Sequence, residues 1–515
     1  MKFNRRRIMQ GAGSVAAAAI IGRGSVLAQD GAFQTPLPIP EIRDARMQGG
    51  SIELAARRAE HAFFPGRPTP TYGFSRSYLG PTLRFDRGDT VEVAVENALD
   101  DDITAHWHGV LLPAELDGGP HAIIPPGETW RPALRIDQPE ATVWYHSHPH
   151  GDTARQVYLG LAGMAIIEDG TGERLGLPRR YGIDDLPVIL QDRRFDRDGS
   201  LVYDASGMAR MIGMRGDTFV VNGAVSPVAT VPAGLVRLRL LNAANARNFH
   251  LRFQDGRRFH VIASDGGYLA TPVPMTRLTI SPSERFEILV DFAEGDRVIL
   301  ETGADAFGMH GNMMGGMMQG MMGGMMDDQG ADLMRFVVDP SLPREDVSVP
   351  GELVARAAPD PAQASLRRRI SLDMGPSMMG SDATSGGMMG GRGMGRGGMM
   401  GGRGMGPPMG INGRPFDMDR IDYEIELGST EIWEVTPNMM AHPFHVHGVI
   451  FHVLSIGGKL PPAHLRGGKD TVLLDEPAEL IMQFTQRANR EYPFMFHCHI
   501  LEHEDGNMMG QYITT

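Results

Sequence analysis

Cysteine is almost absent from this sequence: 515 residues contain one, so the chain has no disulfide framework of its own. Near the N-terminus, the apolar run over residues 12–21 falls short of the roughly 20 residues that span a bilayer. Long helical patterns are scarce. The formal net charge of −13 argues against a general nucleic-acid-binding surface. We therefore expect a β-rich protein with no nucleic-acid partner and no stable membrane insertion.

The first residues have the composition of an export signal. Three arginines at positions 5–7 precede the apolar run, and Ala28 ends a small-residue segment typical of a cleavage site. Gly22 and Arg23 interrupt the run, which disfavours a membrane anchor. We predict a twin-arginine signal peptide over residues 1–28, export by the twin-arginine machinery and a periplasmic mature protein.

Beyond the signal, the sequence indicates short strands joined by turns. Apolar and polar residues alternate with period two, as in half-buried strands, over residues 91–95, 236–240 and 286–290. The chain is too long for one hydrophobic core. We predict an all-β fold of three β-sandwich domains, over residues 41–172, 181–340 and 366–515.

Two methionine-rich insertions interrupt this plan. Residues 309–326 hold nine methionines and residues 374–409 hold ten of the 35 in the chain. The glycines between them each weaken a helix by about 1 kcal/mol relative to alanine. We therefore predict loops, one within the second domain and one within the third.

Four histidine clusters carry the chemistry. In a strand, residues i and i+2 point to the same face, so each His-x-His sequence forms a two-pronged chelate. One such pair could be structural, but core packing does not require four, because buried histidines are uncommon and need hydrogen-bond partners. The clusters are His106-Trp-His108, His146-Ser-His148, His442-Pro-Phe-His445-Val-His447 and His497-Cys498-His499.

The last cluster indicates the metal. Strand alternation sends Cys498 to one face and its two histidine neighbours to the other, so one tripeptide can contact two metal sites and bridge them for electrons. A thiolate, two imidazoles and a weak axial thioether are the ligands of a blue-copper centre. Zinc rarely binds methionine, and iron–sulfur clusters need more cysteines. The chain supplies the blue-copper set as His442, Cys498, His503 and Met508.

At these residues the sequence resembles the multicopper oxidases and, within them, the periplasmic copper efflux oxidases that convert cuprous to cupric ion. The matching motifs are His-Trp-His-Gly at 106–109, Leu-Asp-Gly-Gly-Pro at 116–120, His-Ser-His-Pro-His-Gly at 146–151 and His-Cys-His-Ile-Leu-Glu-His at 497–503. The resemblance implies three Greek-key cupredoxin domains. It places a blue copper in the third and a three-copper cluster between the first and third.

The resemblance also assigns the copper ligands, for one type 1 ion, one type 2 ion and a type 3 pair. It assigns His106 and His445 as the ligands of the type 2 copper. The type 3 pair falls to His108, His146, His148, His447, His497 and His499. The complete set argues against a two-copper nitrite reductase. It also argues against a structural or cell-division scaffold, in which we would expect lost ligands.

Dioxygen reduction also needs four protons. The resemblance points to two acidic residues near the cluster, Asp117 and Glu504, as proton carriers. Either carboxylate could instead orient a turn or a histidine. Together with Cys498, which would bridge the two copper sites, they form the predicted catalytic set.

The methionine tracts suggest the substrate. Thioethers are soft ligands that favour Cu(I), although such tracts can also be low-complexity insertions without a catalytic part. The second tract lies where the copper efflux oxidases carry a methionine-rich segment over the blue copper. Here the chain departs from that family, with Asn438 and Ser377 at acidic positions and Leu372 at a methionine position. A substrate-copper site would then be rebuilt from Asp373, Met374, Met378, Met379 and Met440, or it would be weaker than in that family.

The expected function is a cuprous oxidase that couples one-electron oxidation of Cu(I) to four-electron reduction of dioxygen, for periplasmic copper detoxification. Two alternatives stay open: a laccase-like oxidase of phenolic substrates, and a binding protein that sequesters copper without turnover. We expect a monomer.

Overall fold

The computed structural model describes residues 33–305, 330–344, 346–374 and 409–515, and within them the chain forms three consecutive units, each built from two β-sheets. The predicted signal peptide and nearly all of both methionine tracts lie outside the described residues. The prediction of an all-β chain of three sandwiches is confirmed.

The first unit contains nine strands. They are β1 (Ile42–Asp44), β2 (Ser51–Phe64), β3 (Arg67–Phe74), β4 (Thr82–Asp86), β5 (Thr90–Asn97), β6 (Thr129–Trp130), β7 (Ala133–Arg135), β8 (Ala141–His146) and β9 (Ala162–Glu168). One sheet has the order β1-β4-β9-β8 and the other β3-β2-β5-β6, with β7 also on β5. Val93 of one sheet and Val143 of the other belong to the same buried apolar core.

The described residues of the second unit form twelve strands. They are β10 (Asp185–Arg193), β11 (Thr218–Val221), β12 (Ala224–Val225), β13 (Val228–Val231), β14 (Gly234–Asn242), β15 (Phe249–Phe253), β16 (Phe259–Ser264), β17 (Gly267–Met275), β18 (Leu278–Ile280), β19 (Arg285–Phe292), β20 (Arg297–Thr302) and β21 (Ala331–Val338). The sheet orders are β12-β11-β10-β14-β19-β16-β17 and β13-β21-β20-β15-β18. Leu238 and Leu251, from opposite sheets, share its core.

In the third unit, the part of the chain that the structure describes forms ten strands. They are β22 (Leu366–Asp373), β23 (Gly410–Ile411), β24 (Tyr423–Ile425), β25 (Thr430–Pro437), β26 (His442–Val446), β27 (Phe451–Ile456), β28 (Thr471–Leu474), β29 (Ala478–Gln483), β30 (Phe494–Cys498) and β31 (Met509–Thr514). The sheet orders are β23-β22-β25-β29-β27 and β24-β31-β30-β26-β28. Trp433 and Phe444 pack across the two sheets.

The three segments predicted as strands from period-two alternation lie within β5, β14 and β19, which confirms them. The predicted domain limits fall between β9 and β10 and between β21 and β22.

The α-helices described are short: α1 (Ala114–Asp117), α2 (Thr153–Leu159), α3 (Thr171–Arg174), α4 (Gly207–Ile212) and α5 (Leu501–Glu504). Single 3-10 turns span Ala45–Gln48, Pro361–Gln363 and Ala463–Leu465. Within the described ranges, no helix combines the length and apolar character needed to cross a membrane.

Candidate metal centre

The pairing of β26 with β30 separates two sets of potential metal ligands. In this antiparallel pair Phe444 lies opposite Cys498, and His445 lies opposite His497. Because successive side chains in a strand face opposite sides, Cys498 points with Phe444 into the core of the third unit. The histidines on either side of the cysteine therefore face the first unit, as the sequence predicted.

Cys498 forms a compact triad with two histidines. Its Sγ lies 3.3 Å from Nδ1 of His442 and 3.5 Å from Nδ1 of His503, and the two nitrogens are 3.3 Å apart. All three side chains are fully buried, and they form a candidate metal group. Met508 is buried in the same core, and its carbonyl accepts a hydrogen bond of 3.2 Å from the Cys498 backbone N–H. That bond fixes the position of Met508 beside the triad.

Burial sets the protonation of this triad. It lowers the pKa of His442 to about 4 and that of His503 to about 3, so both imidazoles are neutral at neutral pH, the form that binds metal. Burial raises the pKa of the Cys498 thiol well above its usual range. The thiolate at this position therefore needs a compensating positive charge, which a bound metal ion provides.

The other eight histidines that were predicted as ligands form one buried cluster between the first and third units. His106 and His146 are joined by backbone hydrogen bonds of 2.9 and 3.1 Å, which bring the two first-unit motifs together. Nε2 of His497 lies 3.2 Å from Nε2 of His447 and 3.4 Å from Nε2 of His148. These distances place ligands from both units around a common centre.

Backbone carbonyls orient four rings of this cluster. Nδ1 donates to a carbonyl oxygen in each case, at distances of 2.8 to 3.0 Å. Such a bond fixes the tautomer and leaves Nε2 free for a metal. The four donor–acceptor pairs are His106 with Asp117, His146 with Ser147, His445 with Asp470, and His497 with Cys498.

Several ring nitrogens in the cluster are buried and find no hydrogen-bond partner among the described residues. They are Nε2 of His106, His146 and His445, Nδ1 of His108 and His148, and both nitrogens of His499. An unsatisfied buried polar group costs about 1–3 kcal/mol, so an arrangement with this many requires an explanation. Coordination of metal ions would satisfy these nitrogens, and the donor set therefore fits copper.

Asp117 ends α1 and lies against two potential ligands. Its Oδ2 is 2.8 Å from Nδ1 of His447 and 3.1 Å from Nδ1 of His106, and the side chain is buried. The carboxylate therefore joins a first-unit histidine to a third-unit histidine.

Glu504, in α5, lies on another side of the same cluster. Its Oε1 is 3.2 Å from Nδ1 of His148, and its Oε2 is 3.3 Å from Nδ1 of His497. Burial raises the pKa of Glu504 well above its usual value. Both predicted proton carriers thus contact histidines of the cluster, and their roles stay predictions.

The predicted substrate-copper residues are brought together only in part. Asp373 ends β22, and its carboxylate accepts hydrogen bonds from Ser371 Oγ at 2.7 Å, Gly413 N at 2.7 Å and Asn438 Nδ2 at 2.6 Å. Met374 is buried in the third-unit core, and Met440 packs against that core. Met378 and Met379 lie outside the described residues.

Asp470 is a contact of the cluster that sequence reasoning missed. Its Oδ1 lies 3.0 Å from Nε2 of His108, and its carbonyl accepts from Nδ1 of His445. Arg285 of the second unit binds both carboxylate oxygens. The segment Lys469-Asp470 has no metal-ligand spacing, so only the folded structure reveals this position.

Comparison with known proteins agrees with this geometry. Models of the multicopper oxidase family match residues 57–172, 187–300 and 393–515. The chain therefore belongs to the multicopper oxidases, and the resemblance inferred from the histidine motifs is confirmed. Membership of this family implies copper binding.

Two solved structures are similar over nearly the whole chain. One is CueO from Ochrobactrum sp., described as a bacterial laccase-like multi-copper oxidase, with 42% identity and a TM-score of 0.80 over 93% of this chain and 100% of that chain. The other is McoA multicopper oxidase from Aquifex aeolicus, with 30% identity and a TM-score of 0.77 over 94% of this chain and 99% of that chain.

Proteins with a different name are also similar. Cell division protein FtsP of Salmonella typhimurium is 35% identical over 512 residues, which cover 99% of this chain and 98% of that protein. The Escherichia coli protein of the same name is 35% identical over 514 residues, which cover 99% of this chain and 98% of that protein. Family membership alone therefore leaves the cellular role open.

Proposed function

We propose that this protein is a periplasmic cuprous oxidase that converts Cu(I) to Cu(II) and reduces dioxygen to water. The observation that carries the proposal is the connection between the two ligand sets. Cys498 belongs to the buried triad, while its neighbours His497 and His499 belong to the eight-histidine cluster. A donor site and an oxygen-reducing site are thus joined through adjacent residues of one strand.

The chain would hold four copper ions. The triad with Met508 would hold the type 1 ion, His106 and His445 the type 2 ion, and the six other histidines the type 3 pair. Bound copper would supply one-electron redox chemistry at the first site and dioxygen chemistry at the second. Asp117 and Glu504, each beside two histidines, would hold the protons that the reaction consumes.

Cu(I) is the proposed electron donor because soft and acidic groups lie next to the triad. Nε2 of His442 donates to the carbonyl of Asn438 at 3.2 Å, and the Asn438 side chain binds Asp373. Met440 packs against the third-unit core, which contains Cys498. A Cu(I) ion held here would sit one imidazole away from the site of Cys498, and thioethers favour that oxidation state.

Two other functions have specific support. The similar CueO from Ochrobactrum sp. is described as having oxidase activity towards lignin model compounds and lignosulfonate, which favours phenolic substrates. The relatives named cell division protein FtsP favour a role in division. Copper content and turnover distinguish these functions from the proposed one.

The test is oxygen consumption by the copper-loaded chain with Cu(I) as the only reductant. We expect a blue protein with four coppers that consumes one dioxygen for every four Cu(I). Cys498→Ser should abolish the colour and the turnover, because the sequence contains no second cysteine to bind the type 1 ion. Met47→Leu, an exposed position in the first unit, is the control and should change neither.

Each alternative has its own signature in this assay. Turnover of a phenol without turnover of Cu(I) identifies a laccase. Tight Cu(I) binding without oxygen uptake identifies a sequestering protein. A chain that takes up no copper at the two ligand sets contradicts the oxidase proposal and leaves the division role.

A further inference from the structure

Each of the two imidazoles in the triad has one ring edge that faces away from Cys498. In both rings, a backbone carbonyl of the chain contacts this outer edge. Nε2 of His503 donates to the carbonyl of Met211 at 2.9 Å, and Nε2 of His442 donates to that of Asn438 at 3.2 Å. Both rings are fully buried. An electron donor from solution therefore meets protein backbone at either edge before it meets an imidazole.

The two carbonyls come from different units. Asn438 belongs to the third unit, which carries the triad, whereas Met211 lies in α4 of the second unit. Several contacts hold the second unit, including α4, against the segment that carries His503. Asn245 donates to Glu502 at 2.8 Å, the hydroxyl of Tyr203 donates to the same carboxylate at 3.4 Å, and Met211 packs on the third-unit core.

Gly213 permits this close approach. Its φ is +83°, a region that favours glycine, and a Cβ built there would overlap Cβ of Ala246 and lie 2.7 Å from Cγ2 of Ile500. A side chain at this position would force α4 away from the His503 segment. The close contact of α4 with the His503 segment therefore requires glycine at position 213.

We propose that α4 is a specificity element that closes the His503 edge of the triad to organic electron donors. This inference rests on the proposed oxidase function but is independent of which donor the enzyme prefers. The His442 edge adjoins Asn438 and Asp373, groups suited to a metal ion. The His503 edge adjoins the peptide backbone of α4 and the apolar side chain of Met211.

The experiment replaces the six residues of α4 by glycine and serine at unchanged length in the full, copper-loaded chain. Four molecules of a phenol such as 2,6-dimethoxyphenol would each lose one electron and one proton, and one dioxygen would take all four of each to form two waters. We expect kcat/KM for this phenol to rise by about tenfold or more, because a donor can then reach His503. Cu(I) turnover should change less than about twofold, since the His442 edge is untouched.

A spectroscopic measurement shows whether α4 covers the His503 ring, independently of turnover. Electron–nuclear double resonance of the blue copper detects the ring N–H protons of its histidines. In the parent protein the His503 proton should exchange slowly with deuterated water, because it is buried and hydrogen-bonded. In the α4 replacement it should exchange at least about tenfold faster, while the His442 proton keeps its rate.

Two further variants make the result decisive. Met211→Leu keeps the backbone carbonyl and should leave phenol oxidation and proton exchange unchanged. Gly213→Ala adds one methyl group immediately after α4, where it clashes with Ala246 and Ile500, and should reproduce the replacement if the latter fails to fold.

The outcomes separate the two proposals. Unchanged phenol oxidation and exchange in a blue Gly213→Ala protein would overturn the role of α4, and Met211→Leu, which keeps the carbonyl, is the control for the substitution itself. If Cu(I) turnover is absent throughout and the phenol gain remains, the proposed substrate is wrong and the role of α4 stands.

Discussion

Asp470 shows how one residue can organise ligands from two units. Its carboxylate contacts His108 of the first unit, and its carbonyl orients His445 of the third. Arg285, from the second unit, neutralises the carboxylate in a fully buried pair. Breaking a buried pair by removing one partner typically costs about 3–5 kcal/mol, since the remaining charge stays uncompensated. Asp470 is therefore a positioning residue for the cluster.

We expect Asp470→Asn to disturb the cluster and spare the triad. The amide keeps the shape of the carboxylate but removes one of the two carboxylates that pair with Arg285, so the Asp470 side chain loses the charge through which it contacts His108. The electron paramagnetic resonance signal of the type 2 copper should weaken or change its hyperfine splitting, while the blue band persists. Asp475→Asn, at an exposed position just beyond β28, is the matched control. An unaltered type 2 signal in Asp470→Asn would show that the contact is incidental.

Sequence alone could predict which histidines come together, but not the residues that support them. The His-x-His pairs are recognisable because strand geometry makes i and i+2 neighbours on one face. Asp470 and Met211 act across long separations in the chain: Asp470 follows His108 by 362 positions, and His503 follows Met211 by 292. Such contacts leave no local pattern. Only the fold brings these residues to the site.

At the scale of elements, the single turn α1 places Asp117. The turn ends at Gly118, which has φ +77°. A Cβ at this position would overlap the carbonyl oxygen of Ala105, next to His106. Neither the left-handed backbone nor this approach tolerates a side chain. Gly118 therefore fixes the distance between Asp117 and the cluster.

We expect Gly118→Ala to lower the free energy of unfolding by more than the roughly 1–2 kcal/mol that left-handed backbone alone costs. Gly127→Ala is the matched control: Gly127 has φ +79°, and a Cβ there meets no described atom within 4 Å. Denaturant unfolding of both variants, with copper analysis of each, measures the difference. Equal losses of stability with full copper content in both would mean that the Ala105 contact relaxes at no cost.

The prediction of elements succeeded where the pattern was repetitive. Long alternating segments predicted β5, β14 and β19 correctly. The six-residue α4 has no such signal, because it is shorter than the two turns needed for a helical period to emerge. Its position over His503 is a tertiary contact, so no propensity argument could have found it.

At the scale of the whole molecule, the site is a product of all three units. The first and third supply the cluster histidines, as the family resemblance implied, and the second supplies Arg285 and α4 as supports. The second unit also binds the first through a buried network. Glu287 accepts from Thr142 at 2.6 Å and from Arg239 at 3.0 Å. The three units therefore form one structural framework for the metal centre.

Burying so many neutral histidines has a consequence for the metal-free protein. Burial lowers the pKa below the ordinary value of 6.5 for nine proposed ligands, namely His108, His146, His148, His442, His445, His447, His497, His499 and His503. In the pH range between their folded and unfolded pKa values, the unfolded chain binds more protons. The contribution of these histidines to the free energy of unfolding is therefore complete above pH 6.5. It decreases as the pH falls, by about 1.4 kcal/mol per pH unit for each histidine.

Three buried carboxyl groups at α5 act in the opposite direction. Burial raises the pKa of Glu502 and of Glu504, and raises that of Asp505 to about 8, so each favours the folded state as the pH falls towards its unfolded value. The nine histidines outnumber these acids.

We therefore expect the denaturant midpoint of the metal-free full chain to drop steeply between about pH 6.5 and pH 5, and to drop less when copper occupies the ligands. The double variant His146→Leu with His499→Leu removes two of the nine groups and should give a shallower slope. A midpoint that stays level over this pH range, or a slope that the double variant leaves unchanged, would show that these histidines are not held neutral by the fold.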